Sequence, residues 1–384
     1  MLGLLLARAG VDVLVLEKHA DFLRDFRGDT IHPSTLEVMH ELGFLDDLLA
    51  RPHQEVRELA GQIGSDLVMI ADFTHLPTHC RFLALMPQWD FLNFLVEKAK
   101  AYPNFRIEME AEVTDLLDES GRVVGVRARS PRGAFDVRAD LVVGADGRHS
   151  IIRRRAGLPL LDLGSPIDVM WLRVSRLPGD PAQTFGHVEP GRVLVMLDRE
   201  DYWQCAYVIA KGTAEEIRKG DIARFREEIA RLSPFLGDRV GELRTWDDVH
   251  LLTVAVDRLR KWSKPGLLCI GDAAHAMSPI GGVGINLAVQ DAVATANLLG
   301  AKLSRGVPSD EEVDAVQARR EFPTRATQQL QVTIQNKVIR NVLKTAKPLK
   351  APWPIKLLGM TPRLRRIPAR VVGLGFRPEH IASD

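Results

Sequence analysis

Cysteine is scarce in this 384-residue chain: Cys80, Cys205 and Cys269 are the only three, scattered and without a C-x-x-C pair. That spacing excludes a zinc site and a disulfide framework, and it suits a reducing cytoplasmic setting. Long apolar runs are missing too. None reaches the roughly 18 residues that a membrane span requires. The apolar first residues are broken by Arg8 and carry neither a basic leader nor a small-residue cleavage site, so no secretion signal is expected. Charge of one sign is also lacking, since 51 Lys+Arg against 50 Asp+Glu leave a net charge of +1. This balance supplies no field for nucleic acid, and no nucleic-acid partner is expected. Only the end is biased, with eleven Lys/Arg from Lys337 onward against Glu379 and Asp384. That segment reads as a solvated or core-covering helix, with peripheral contact to an anionic membrane surface as the second reading. Finally, no metal-ligand spacing and no G-x-G-x-x-G phosphate loop occur.

What is present is enough apolar residue, 46%, to bury a substantial core, and a length that suits two domains, one interrupting the other. The chain opens "MLGLLLARAG VDVLVLE". Leu2, Leu4, Leu5 and Leu6 form a helical run, Gly10 stops it, and Val11 to Leu16 make a buried strand ending on Glu17. In a dinucleotide-binding βαβ unit an acid in that place holds ribose hydroxyls, about 20 residues after the phosphate loop. Counting back from Glu17 passes beyond Met1, so the first strand and its loop are expected upstream of this chain. The same helix–strand step also occurs in α/β proteins that bind no nucleotide.

Further on, "TIHPSTLEVMHELGFLDDLLA" predicts a short surface helix with Leu36, Met39 and Leu42 on one face. "MPQWDFLNFLVEKAKAYPN" predicts another, with Leu92, Leu95, Val96 and Ala99 facing inward. Residues 105–145 read as strands in a meander ending in a buried one, and residues 165–210 as a separate β layer. Two stretches carry chemistry. In "ADLVVGADGRHSIIRRRAG" a buried strand feeds an Ala145-Asp146-Gly147 turn, which brings backbone close to a ligand or is a plain turn with none. In "GLLCIGDAAHAMSPIGGVGINLAVQDA" a buried strand delivers Gly271 and Asp272. Pro279 and three glycines (Gly281, Gly282, Gly284) follow, and a long helix starts near Ile285. Such a loop aims helix N-terminal N–H groups and the positive dipole end at an acceptor.

Together with Glu17, these stretches resemble the class A flavoprotein monooxygenases, the para-hydroxybenzoate hydroxylase family of aromatic hydroxylases. The resemblance implies an α/β fold: a Rossmann-like FAD-binding domain (1–60, 81–160, 245–320), a β-rich substrate domain (61–80, 161–244) and a C-terminal helical segment (321–384). It implies FAD as cofactor. Glu17 and Lys18 would lie at the adenosine ribose, Arg27 and Gln88 beside the cofactor, and Val113 at the adenine. Asp146 and Gly147 would form the turn shared by FAD and NAD(P)H. Gly271 and Asp272 would meet the ribityl chain, and Pro279, Gly282, Gly284, Ile285 and Asn286 the isoalloxazine. Val283 departs from the Gln or Lys that many members carry there. The implied activity consumes NAD(P)H and dioxygen and hydroxylates an aromatic, phenolic or polyketide-like molecule through a flavin C4a-hydroperoxide. Trp171, Met196, Trp203 and Tyr207 are substrate candidates, and Pro279 and His275 catalytic ones, with a structural histidine as the plainer reading of His275. The alternatives are a flavin reductase or halogenase on the same scaffold, or a cofactor-free binding protein. A monomer or homodimer is expected.

Overall fold

Gly10 adopts a left-handed φ of 81°, which ends the opening helix α1 (Leu2–Arg8) and turns the chain into strand β1 (Val13–Leu16). In this computed structural model, which describes residues 1–23, 30–181 and 185–382, Leu4, Leu5, Leu6 and Ala7 of α1 are buried. Helix α2 (Pro33–Glu41) starts on a proline, whose fixed φ suits a first helical turn. It is not the surface helix its pattern suggests. Pro33, Ser34, Thr35, Leu36, Val38 and Met39 are all buried, because other elements cover more than one of its faces. In helix α3 (Gln88–Ala99) the deep positions are Phe91, Phe94, Leu95 and Ala99, while Leu92 and Val96 are half-buried. The bulkier phenylalanines take the core and rotate the expected stripe by one residue.

Strand β2 (Phe105–Glu108) pairs parallel with β1, Val13 opposite Phe105. Only Glu112–Glu119, Arg122–Ser130 and Gly133–Arg138 form the antiparallel meander. Strand β3 (Val142–Gly144), which ends that run in sequence, pairs parallel with β4 (Leu267–Cys269), Val142 opposite Leu267. The chain thus leaves the nucleotide-type layer after β3 and re-enters it at β4. Between them lies most of a seven-stranded sheet in the order His250–Leu252, Ile167–Ser175, Tyr202–Ala210, Arg192–Asp198, Phe185–Glu189, Glu58–Ile63, Asp66–Asp72. All its pairings are antiparallel except the one joining Phe185–Glu189 to Glu58–Ile63. Residues 250–252, grouped by sequence with the nucleotide-binding segments, therefore pair into the other sheet.

Alternation along these strands gives the sheet two faces. Met170, Leu172, Leu194, Met196, Trp203, Cys205 and Tyr207 pack with Phe225, Ile229 and Leu232 of the helix Ile222–Leu232. Val169, Val193, Ala206 and Val208, with Trp171 and Val195, pack on the other side with Ile280, Val332 and Ile339. Helix α4 (Gly284–Leu303) then runs back under β4. Helix α5 (Asp310–Ile334), started by a Ser309/Glu312 capping box, continues through a π-turn at Gln335–Ile339 into Arg340–Lys344. Two last helices, α6 (Trp353–Met360) and α7 (Pro362–Gly373), lie against the edge strand Asp66–Asp72.

All three cysteines are buried, and burial pushes the Cys80 thiol up to about 11 and that of Cys269 up to about 12, which leaves them protonated and unreactive. Among the described residues no helix is long and apolar enough to cross a membrane, and no cluster of His, Cys, Asp or Glu is placed to hold a metal.

Candidate active site

The parallel pair β3–β4 delivers both motif turns to one place. Gly144 at the end of β3 has no room for a side chain, since a Cβ there would lie 2.7 Å from Ile152 Cγ2. The Ile270 N–H donates to the Gly144 carbonyl (3.0 Å), so the two chains leave the sheet together. Asp146 Oδ2 accepts the N–H groups of Ile151 (2.7 Å) and Ile152 (3.2 Å), and Ser150 accepts that of Arg153 (2.9 Å). Asp146 thus caps the helix Ile151–Arg155, while Gly147, with φ at 81°, leaves open space at the turn. Arg153, nearly fully buried, donates to the carbonyls of Arg148 (2.7 Å) and Ala273 (3.2 Å) and stands 3.7 Å from Asp257. Arg148 reaches Asp272 at 3.8 Å, which joins the A-D-G and G-D turns at the surface.

Beneath Gly271 lies a charged network that sequence reasoning missed. Asp291 of α4, fully buried, accepts Gly271 N–H (3.0 Å), His275 Nε2 (2.6 Å) and Arg320 Nε (3.0 Å). Burial alone would raise its carboxyl. The His275 and Arg320 partners outweigh that and hold it below the usual carboxylate range. Arg320 also meets Glu379, whose backbone N–H bonds Gln290. His275, 1% exposed and packed on Trp262, is therefore a positioning residue under the turn and not a group facing the loop, which corrects its catalytic assignment.

The loop Ser278–Gly282 is held by a ladder of glutamines from α5 and the π-turn. Gln328 Nε2 donates to the carbonyls of Asp257 (2.7 Å) and Ala276 (3.1 Å). Gln331 Nε2 donates to those of Ser278 (2.9 Å) and Ile280 (2.8 Å), and its Oε1 accepts Ser278 N–H (3.1 Å). Gln335 donates to Ser278 Oγ. Their spacing, i, i+3 and i+7, is the signal that the sequence held, since it puts all three on one helical face. Past Pro279, Gly281 and Gly282 take φ values of 79° and 62°, and a Cβ on Gly282 would stand 3.1 Å from Thr30 Oγ1.

Helix α4 then begins without a side-chain cap at Val283, and no side chain among the described residues answers the N–H groups of Gly284, Ile285 and Asn286. Asn286 itself points inward. Its Oδ1 accepts His32 N–H (2.9 Å) and Thr35 Oγ1–H (2.7 Å), and its Nδ2 donates to the Thr30 (3.2 Å) and Gly282 (3.4 Å) carbonyls. The side chain fixes the loop to α2, so any ligand contact from Asn286 comes through its backbone. His32 is also buried. Its Nδ1 donates to the Val372 carbonyl (2.7 Å), while Nε2, among the Gly281 and Gly282 backbone, has no hydrogen-bond partner among the described residues. Burial pushes its pKa down to about 4 against the smaller opposing effect of the Val372, Gly281 and Gly282 carbonyls. A cavity beside this loop is lined by His32, Ile280, Asn286, Gln290, Thr327 and Phe376, among others.

The remaining candidates divide. Glu17 follows β1 half-buried, its carboxylate accepting His19 N–H (3.0 Å). Its carbonyl accepts Ala111 N–H (2.9 Å), two residues before Val113, which is half-buried. Lys18 is exposed, Gln88 is the half-buried first residue of α3, and Arg27 lies outside the described residues. Of the substrate candidates only Trp171 is on the sheet face that meets Ile280. Met196, Trp203 and Tyr207 pack on the opposite face, where Trp203 Nε1 donates to Asp180 (2.8 Å) and Tyr207 Oη to Glu228 (2.8 Å). They are core residues, because strand parity turns them away from the loop.

An uncapped helix start, glycines that open the backbone beside it, an acceptor nitrogen without a donor and Asp272 at a strand end fit a flavin dinucleotide, which offers ring carbonyl, N–H and hydroxyl groups. A family model described as FAD binding domain matches residues 1–330. The chain is 31% identical over 386 residues to the 6-methylpretetramide 4-monooxygenase of Streptomyces rimosus, covering 100% of this chain and 91% of that protein. It is 25% identical over 316 residues to the para-nitrophenol 4-monooxygenase of Pseudomonas sp. strain WBC-3, covering 79% of this chain and 75% of the relative. The solved p-nitrophenol 4-monooxygenase of Pseudomonas putida DLL-E4 shares the fold, with a TM-score of 0.75 at 22% identity, covering 96% of this chain and 93% of that one. A family match over most of the chain and a relative that covers all of it agree: the chain belongs to the class A FAD-dependent monooxygenases, the aromatic hydroxylases of the para-hydroxybenzoate hydroxylase type, and is an oxidoreductase with FAD as cofactor.

Proposed function

We propose that the protein uses NAD(P)H and dioxygen to hydroxylate an aromatic, phenolic or polyketide-like small molecule. The observation that carries this reading is the uncapped start of α4 behind the Pro279–Gly282 loop, set against the apolar sheet face of Val169, Trp171, Ala206 and Val208. Bound FAD supplies the redox chemistry, carrying electrons from the nicotinamide to dioxygen. The chain's own residues bind, orient and protect. Glu17, with Lys18 beside it, takes the ribose hydroxyls, and Asp272 takes the ribityl hydroxyls. The N–H groups of Gly284, Ile285 and Asn286, left without a side-chain cap, would hold the carbonyl edge of the ring, and the helix dipole would add to their effect. Pro279 and Ile280 would carry the substrate ring, with Trp171 on the sheet face on which Ile280 packs. The apolar face excludes water from the reacting atoms. A cytoplasmic setting, which supplies reduced nicotinamide, belongs to this reading, as does the division into an FAD-binding part, a substrate-side sheet and a C-terminal helical segment. The names of the relatives support the substrate class, since one acts on a pretetramide and others on nitrophenol and 2,4-dichlorophenol.

The test is FAD titration by fluorescence quenching, followed by aerobic NAD(P)H oxidation across a panel of phenols and aromatic polyketides. The proposal expects stoichiometric FAD uptake and substrate-stimulated oxidation. NAD(P)H oxidation with no stimulation by any panel member points instead to a flavin reductase, and a product gaining halide mass to a halogenase. Absence of FAD uptake would leave the cofactor-free reading.

A further inference from the structure

Helix α6 leaves an apolar stripe uncovered. Trp353, Leu357 and Met360, at i, i+4 and i+7, are 76%, 47% and 81% exposed. Large side chains this open rarely line up on one face of a helix without a partner surface. On α7 the exposed positions past Pro362 are Arg363, Arg366, Ile367 and Arg370, with Ile367 61% exposed. The two helices pack on each other and on the edge strand Asp66–Asp72, whose Leu67 is 73% exposed. Exposed apolar groups are thus interleaved with cations. The two acids of the edge strand itself are neutralised or buried: Asp66 pairs with Lys356 (3.0 Å) and accepts Ala351 N–H, and Asp72 is buried. No acid occurs between Lys337 and Arg377.

We propose that this face of α6 and α7 docks on an anionic lipid bilayer surface. Trp353, Leu357, Met360 and Ile367 enter the boundary between headgroups and acyl chains, and Arg363, Arg366 and Arg370 meet lipid phosphates. An amphipathic pair of short helices with tryptophan at the boundary suits that interface, and neither helix is long enough to span it. Charge decides against a second copy of the chain as the occupant. A twofold contact would set the same cations against themselves with no acid to answer them. The end of α7 also carries Val371 and Val372, and with Leu374 and Phe376 they line the cavity beside the Pro279 loop. Docking therefore sets that cavity's wall beside the membrane, a source of apolar substrates.

The experiment is co-sedimentation of the full chain with vesicles of phosphatidylcholine alone or with roughly one-third phosphatidylglycerol, at low and high salt. The proposal expects binding to the anionic vesicles alone, weakened by salt. The triple variant Arg363→Gln, Arg366→Gln, Arg370→Gln should lower partitioning about a hundredfold, from about fivefold per cation. The double variant Trp353→Ala, Met360→Ala should lower it at least about tenfold. All these side chains are exposed, so both variants should keep the parent's melting temperature. Failure to bind anionic vesicles overturns the proposal, and so does binding that neither variant weakens. A dimer in sedimentation velocity that Trp353→Ala dissociates makes the occupant a second copy and overturns it too.

Discussion

Asp291 holds a backbone N–H, a histidine and an arginine at once, with no access to water. Its Asn variant leaves Arg320 and His275 without their shared carboxylate, and removing one partner of a buried charge set costs about 3–5 kcal/mol. Urea unfolding of Asp291→Asn should show that loss. The pH dependence has a definite sign. The Asp291 carboxyl is held below its ordinary value in the folded protein, so its contribution is full above about pH 4 and is lost as pH falls further. His32 works over a different window. Its folded pKa, about 4 against 6.5, means that between those values the unfolded chain takes up a proton the folded one refuses. Stability therefore falls as pH drops from 6.5 toward 4, by roughly 2–3 kcal/mol. A His32→Gln variant should lose that slope between pH 7 and 4.5 in urea midpoints, and an unchanged slope would contradict the assignment. At this scale the places of Glu17, Asp146 and Asp272, each just past a strand beside turn chemistry, are legible in the sequence, whereas the helix N–H groups that Asp146 accepts are not. Met196, Trp203 and Tyr207 were misread because a period of two fixes which residues share a face but not which face meets the loop. That the Asn286 side chain is spent on Thr30, His32 and Thr35, some 250 residues earlier in the chain, is not legible, because nothing local reveals those partners.

At the scale of elements, the long helix α5 is rich in polar residues, yet its glutamines form one face that grips the loop. Gln331 makes three bonds to Ser278 and Ile280. Leucine there strands two carbonyls and an N–H in a buried place. The expected cost is roughly 2–4 kcal/mol, with weaker FAD binding and faster amide exchange at residues 278–282. Gln329→Leu, on the exposed face of the same helix, should stay within about 0.5 kcal/mol of the parent. Equal effects from the two variants would show that the ladder does not hold the loop. The π-turn at Gln335–Ile339 belongs to the same device, since it falls where Gln335 must reach Ser278 and where Ile339 must pack on the sheet. No local pattern announces a π-turn. The same blindness applies to α2, whose apolar face was legible and whose burial on other sides was not, because burial depends on what the distant chain lays over it.

Across the whole molecule, β3 and β4 are neighbours in the sheet although a long excursion, from Gly144 to Leu267, separates them in the chain, and that excursion builds most of the seven-stranded layer. That interrupted order was legible from the two buried strands, each followed by a glycine–aspartate turn, with β-rich sequence between them. The boundaries were less so, because short strands such as His250–Leu252 join whichever sheet offers an open edge. The outcome is a layer carrying both motif turns that meets the seven-stranded sheet near the Ser278–Gly282 loop, where Ile280 packs with Val169, Ala206 and Val208. The claim at this scale is the proposed one, that the protein inserts oxygen into an aromatic substrate. It is tested most directly by product mass after turnover of the FAD-loaded protein with NAD(P)H under heavy-isotope dioxygen, on an aromatic substrate that stimulates oxidation. The account predicts a hydroxylated product carrying one oxygen atom from the labelled gas, whereas a product without the label, or one changed only by cyclisation or loss of hydrogen, would contradict it.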